Sequence, residues 1–263
     1  MKPQFFLAKG GNDLYISIRG AAEPGDFAIV LEFNREDFLD GKVHKGVLDS
    51  ARWIIEQCNS YIENCTGNII CTGHSLGGAT SAMIATLLRY EKGIDNVFAI
   101  SFAPFPIFSE SVAQMSKDFI CSFVYGNDVV PHLSAKTIGT LVNMFIPPGP
   151  QQQNGINMMQ GMVMRLLQGI MQQNGMSDYS STAQINERMP KIMQSLIQIA
   201  RGEEKEEFFV PGTSYHFVRD NGEIVCRLFD ETLAFNIMAS LVGIADHSFL
   251  NYEEAIICTE CLP

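Results

Sequence analysis
No run of about eighteen or more apolar residues occurs anywhere in the 263-residue chain, so no helix is expected to span a bilayer. Positive charge is scarce as well: 18 Lys and Arg stand against 29 Asp and Glu, a net charge of −11. That balance argues against a nucleic-acid partner and against simple attraction to anionic lipid, so any meeting with a membrane or lipid droplet is expected to be peripheral and apolar. Residues 1–9 have too short an apolar core for a secretory signal. The 7 cysteines form no regular framework, which favours a reducing, cytoplasmic setting. The one C-x-x-C, Cys258-Thr259-Glu260-Cys261, has no second ligand pair at zinc spacing and ends two residues before the last one. It is expected to be a frayed tail rather than a metal or redox site, and no cofactor is implied anywhere in the chain.

What is present is a core-forming chain, 46% hydrophobic, in which strand and helix signals alternate. Leu14-Tyr15-Ile16-Ser17-Ile18 reads as a strand and Phe27-Ala28-Ile29-Val30-Leu31 as a further apolar segment; 47–61 reads as an amphipathic helix. Strands are expected at 69–72, 97–102 and 119–125, with helices at 76–89 and 109–116 between them. Near-continuous apolar strands alternating with helices indicate a mostly parallel sheet with helices on both faces. Asp220-Asn221-Gly222 between two alternating apolar runs marks a hairpin, so the sheet is expected to end in an antiparallel pair. No linker composition divides the chain, and 1–263 reads as one domain.

The alternation breaks over 144–206. Nine of the 13 methionines fall there, together with a Gln-rich run and few charges before Glu203. Met159, Met162, Val163, Leu166, Leu167, Ile170 and Met171 recur at helical spacing, as do Ile185, Met189, Ile192, Met193, Leu196 and Ile197. Two readings compete. One is a pair of ordinary amphipathic helices packed on the core. The other is a lid-like insert whose adaptable methionines cover an acyl-chain site.

Gly73-His74-Ser75-Leu76-Gly77 follows the apolar run 69–72 and precedes a small-residue helix. A strand entering and a helix leaving are what give a G-x-S-x-G pentad meaning, because the tight turn between them holds the serine hydroxyl above the sheet. Ser75 is therefore the candidate nucleophile. Serine needs an imidazole to take its proton and a carboxylate to fix that imidazole, and in α/β-hydrolases the acid precedes the histidine in the chain. Asp128, in Gly126-Asn127-Asp128-Val129-Val130-Pro131 after the strand 119–125, is the expected acid. Among 5 histidines, His44 and His74 break the order and His132 lies too close behind Asp128. His247 is the expected base, with His216 the alternative. The backbone N–H of Leu76 is the expected first oxyanion donor, and that of Ala21, after Gly20, the second.

Together, Ile18-Arg19-Gly20-Ala21, Val43-His44-Lys45-Gly46, Gly73-His74-Ser75-Leu76-Gly77-Gly78, Gly126-Asn127-Asp128-Val129-Val130-Pro131 and Asp246-His247 resemble the class 3 lipase family, and within it the sn-1-specific diacylglycerol lipases. The resemblance runs from about Leu14 to Leu250. It implies an α/β-hydrolase fold, a Ser75-Asp128-His247 triad and a serine hydrolase that cleaves acyl esters of glycerolipids such as diacylglycerol or triacylglycerol. Phospholipase A1 or carboxylesterase activity on the same fold, and a non-catalytic lipase-like module, are the alternatives. The family's insertion between acid and histidine corresponds to 144–206. One departure stands out: Ala21 occupies a position where the family usually has Thr or Ser, so a side-chain donor is missing.

Overall fold
The computed structural model describes residues 2–22, 26, 29–30, 33–146, 152–173, 180–202, 207–229 and 241–259. Strands β1 (Phe5–Gly10) and β2 (Asp13–Ile18) form a hairpin that opens the main sheet. A small separate hairpin, β3 (Arg35–Phe38) and β4 (Gly41–His44), leads into the long helix α1 (Lys45–Glu63). Then come β5 (Ile69–His74), α2 (Leu76–Tyr90), β6 (Val97–Phe102), α3 (Glu110–Met115) and β7 (Ile120–Tyr125). A 3-10 turn at Val130–His132 precedes three helices, α4 (Ala135–Phe145), α5 (Gln152–Gln173) and α6 (Ser180–Ala200). The hairpin β8 (Thr213–Asp220) and β9 (Glu223–Leu228) completes the sheet, and α7 (Leu241–Asp246) and α8 (Phe249–Cys258) follow.

The sheet has the order β1-β2-β5-β6-β7-β8-β9. The five central strands are parallel, and each edge strand is antiparallel to its neighbour. The expected closing hairpin turns at Asn221 (φ 49°) and Gly222 (φ 90°), the left-handed pair that a two-residue turn needs. The β1–β2 hairpin at the opposite edge adds an antiparallel pair that the sequence reading had not anticipated. In the 27–31 apolar segment the described residues Ile29 and Val30 are helical; Phe27, Ala28 and Leu31 lie outside the described residues.

Alternation along β6 locates the two faces. Val97, Ala99 and Ser101 are buried, and the Ser101 hydroxyl hydrogen-bonds Ser81 of α2 at 3.0 Å. Phe98 and Ile100 point the other way and are exposed, while Phe102 on that face meets Tyr252 of α8. Helices thus lie on both faces, with α2 backed by α1 on one side and α8 crossing β7 and β9 on the other. This mostly parallel sheet with its serine turn is an α/β-hydrolase architecture. Close packing of α2 on the strands needs glycine: a Cβ on Gly77 would collide with the Ile18 carbonyl, and one on Gly78 would lie 2.7 Å from the Phe102 carbonyl.

Helix α6 packs along α4, with Met189, Ile192, Met193, Leu196 and Ile199 buried. Met159 and Val163 of α5 are buried in the same core cluster. Helix α4, which begins at Ala135, leads into the 144–206 segment.

Candidate active site
Strand β5 ends at His74 and α2 begins at Leu76, leaving Ser75 alone in the turn with φ 59° and ψ −124°. A non-glycine residue in that conformation is strained, and the strain persists only where the surroundings impose it. Here Ser75 N–H donates to the Phe102 carbonyl at 2.8 Å and its own carbonyl accepts from Ala79 N–H at 3.0 Å.

Downstream of β7, Gly126 turns with φ 52° and delivers Asp128 into the interior. A clasp from α7 fixes this loop. Asp246 Oδ2 accepts the Asn127 N–H at 2.8 Å, and the Gly243 carbonyl accepts the Val129 N–H at 3.2 Å. Helix α7 thereby carries His247, the residue after it, to Asp128. His247 Nδ1 lies 3.0 and 2.9 Å from the two Asp128 oxygens, and Nε2 lies 3.0 Å from Ser75 Oγ. An ionised carboxylate only accepts, so Nδ1–H donates to Asp128 and Nε2 is left to accept from the serine hydroxyl. Ser75 is 9% exposed, His247 4% and Asp128 0%. Burial alone would push the Asp128 carboxyl up, yet its pKa falls below the usual range. The His247 charge and hydrogen bonds from His247, Tyr252 and Val130 N–H outweigh the burial.

The other histidines do not meet Ser75 in this way. His216 Nε2 lies 2.7 Å from the Gly126 carbonyl, and His132 packs against Phe229. His44 is buried at the start of α1, where its Nδ1 accepts Val47 N–H, and burial lowers its pKa to about 4. His74 lies tilted against His247 and edges onto Tyr252. Burial first, and then the His247 charge, lower its pKa to about 3.

Leu76 is the first residue of α2, where backbone N–H groups have no acceptor within their own helix. The loop after β2 runs beside it: a Cβ on Gly20 would lie 2.9 Å from the His74 carbonyl and 3.7 Å from Ser75 Cβ. Ala21 follows, buried, and Ala22 N–H donates to the Asp26 carboxylate at 3.0 Å. The loop that carries Ala21 is thus held against the serine turn.

Tyr252 is the residue that sequence reasoning missed. Its hydroxyl donates to Asp128 Oδ2 at 2.6 Å from a fully buried position on α8. No local pattern marks it, because its partner lies on another strand's loop. Cys258 is exposed at the end of α8, and Glu260 and Cys261 lie outside the described residues. Among the described residues no group of three His, Cys, Asp or Glu side chains could hold a metal ion, and no helix is long and apolar enough to cross a membrane.

Residues 15–138 match the family model of the class 3 lipases, a span that includes Ser75, Leu76, Ala21 and Asp128 and stops before His247. Diacylglycerol lipase-beta of Mus musculus is 28% identical over 141 residues, which cover 48% of this chain and 21% of that protein. Diacylglycerol lipase-alpha of Homo sapiens is 31% identical over 136 residues, 45% of this chain and 13% of that protein. The chain therefore spans about a fifth or less of the length of these relatives. Among solved structures, the Rhizomucor miehei triacylglyceride lipase overlaps 50% of this chain and 56% of its own, with 25% identity and a TM-score of 0.41. A lipase from Rhizopus microsporus var. chinensis overlaps 49% and 50%, with 22% identity and a TM-score of 0.42. In sequence, then, the part of the chain that holds the serine turn and Asp128 is similar to class 3 lipases, diacylglycerol lipases included.

Proposed function
We propose that this class 3 lipase-like chain is a serine hydrolase that cleaves acyl esters of glycerolipids. The observation that carries the reading is the unbroken hydrogen-bonded line from Ser75 Oγ through His247 to Asp128, set on a strained strand-to-helix turn. In the reaction, Ser75 Oγ attacks the ester carbonyl while His247 Nε2 takes its proton. Asp128 holds the ring in the required tautomer and stabilises the imidazolium. The Leu76 and Ala21 N–H groups receive the tetrahedral oxyanion. As the C–O bond breaks, His247 donates its proton to the leaving alcohol, and water then resolves the acyl-enzyme by the same steps in reverse order.

Glycerolipid is proposed as the substrate class from the relatives' names and from the Met-rich amphipathic helices α5 and α6. We read those helices as a cover over the acyl chain, which reaches the site because α5 touches α7, the helix that carries His247. Uncharged glycerolipid fits an acidic chain better than anionic phospholipid does. Lipid contact is then peripheral, on a membrane or droplet surface. The test is a panel of diacylglycerol, triacylglycerol, the anionic phospholipid phosphatidylglycerol and a short soluble ester. Hydrolysis of the neutral glycerolipids is expected to be fastest. Preference for the phospholipid or for the short ester alone would replace the substrate class with a phospholipase A1 or a carboxylesterase. No turnover of any would favour a binding module.

A further inference from the structure
Tyr252 Oη makes two hydrogen bonds that together fix the direction of its proton. It accepts the Tyr125 backbone N–H at 3.0 Å and lies 2.6 Å from Asp128 Oδ2. A phenol has one proton and an ionised carboxylate only accepts, so the O–H points at Asp128. The ring cannot drift, because it meets His74, Tyr125 and Phe102 with centroids 5.3, 6.0 and 6.2 Å away. Asp128 Oδ1 accepts from Val130 N–H at 2.9 Å, and both oxygens face His247 Nδ1. Without the phenol, Oδ2 would share His247 as its sole donor in a dry interior, where an under-solvated carboxylate is costly.

We propose that Tyr252 is a positioning residue of the site: its hydroxyl aims the Asp128 carboxylate at His247 and tempers how strongly that carboxylate holds the imidazole's proton. The inference rests on the hydrolase reading above. Burial, followed by the Asp128 charge, raises the phenol's pKa well above its ordinary value, so the hydroxyl keeps its proton across the working range. Among the described residues, the ionisable groups that face the Asp128–His247 pair are Ser75 and His74 from the β5 turn, Tyr125 from β7, Asp246 from α7 and Tyr252 from α8. His74 is neutral above about pH 3, and Asp246 stays engaged with Asn127 N–H whatever stands at position 252. Removing the phenol O–H leaves more charge on Asp128 Oδ2. The imidazole then keeps a proton to higher pH and is available as a base over a narrower range.

The experiment is Tyr252→Phe, checked for a cooperative thermal melt, with kcat/KM on a soluble ester measured against pH. Fluorophosphonate labelling of Ser75 is followed in parallel in wild type and variant. The expected result is an acid limb displaced upward by roughly half to one pH unit, and labelling on that limb slower by roughly three- to tenfold. An unchanged limb with unchanged labelling in a folded variant overturns the inference, since loss of packing alone would lower only the melting temperature. A second measurement covers a variant that fails to fold. Replacing all tyrosines by the more acidic 3-fluorotyrosine strengthens the donor, and the limb should move downward; a fixed limb overturns the inference. Failure of the wild type to label at Ser75 is a separate outcome. It removes the hydrolase reading, and this inference with it.

Discussion
His74 lies with its ring centroid 4.7 Å from that of His247, and its Nε2 is buried without a hydrogen-bond partner. An imidazole so placed is stable only while neutral, because a second positive charge there would be both desolvated and repelled. His44 is in the same condition, its Nε2 likewise buried and unpartnered. In the unfolded chain both protonate near the ordinary value of 6.5, whereas folded they do so at about 3 and about 4. Between those limits the unfolded state binds more protons, so stability falls as pH falls.

Acidification from roughly pH 7 to pH 5 should therefore cost about 2 kcal/mol for each of these two histidines. Thermal melts across that range check it, with a smaller pH slope expected for His74→Phe. A melting temperature that holds or rises toward pH 5 would contradict the account.

The three residues of the proposed triad act as a unit. Ser75→Ala and His247→Ala should each lower turnover by roughly 10⁴-fold or more, and Asp128→Asn somewhat less. Steady-state rates on a soluble ester decide it. Retained activity in His247→Ala with loss in His216→Ala would transfer the base to His216.

The loop after β2 offers a geometric test. Gly20→Ala places a methyl 2.9 Å from the His74 carbonyl and must push the Ala21 N–H away from the serine turn. Turnover should fall by about 10²-fold, with a modest change in melting temperature. Ala21→Pro removes the N–H itself and should fall at least as far. Full activity in a folded Ala21→Pro protein would place the second oxyanion donor elsewhere. Ala21→Ser adds a hydroxyl beside that N–H; turnover is expected to rise by up to about 10²-fold where the hydroxyl aims at the oxyanion, and to change little where it does not.

Packing and lipid contact separate on the Met-rich helices. Leu196 is buried between α6 and the core, so Leu196→Ala should destabilise by about 3 kcal/mol, read from denaturant unfolding. Met144 is 72% exposed and Met158 56%, so Met144→Gln with Met158→Gln should leave stability nearly unchanged. If this region meets lipid, that pair should lower activity on dispersed long-chain glycerolipid severalfold while sparing a soluble ester. Equal effects on both substrates would reduce the helices to ordinary packing.

Much of this architecture was readable along the chain because its signals are local. A strand, a serine between glycines and a small-residue helix occur within about twenty consecutive positions. Asn221-Gly222 carries its own turn preference. Strand β1 was not readable, since Phe5-Phe6-Leu7 has no alternation and its partner is fixed only by pairing with β2. The charged β3, Arg35-Glu36-Asp37-Phe38, likewise becomes a strand only through β4. At the site, the sequence order placed Ser75, Asp128 and His247 as candidates. The Asp246 clasp and Tyr252 arise from contacts between elements more than a hundred residues apart, which no periodicity records.

The central claim is that Ser75 is a nucleophile activated by His247. The most direct measurement is reaction with a fluorophosphonate followed by intact-mass and peptide mapping, in wild type, Ser75→Ala and His247→Ala. The account predicts one stoichiometric adduct on Ser75 in the wild type, none in Ser75→Ala, and a rate lowered by orders of magnitude in His247→Ala. An adduct on another residue, or none in a folded wild-type protein, would contradict it.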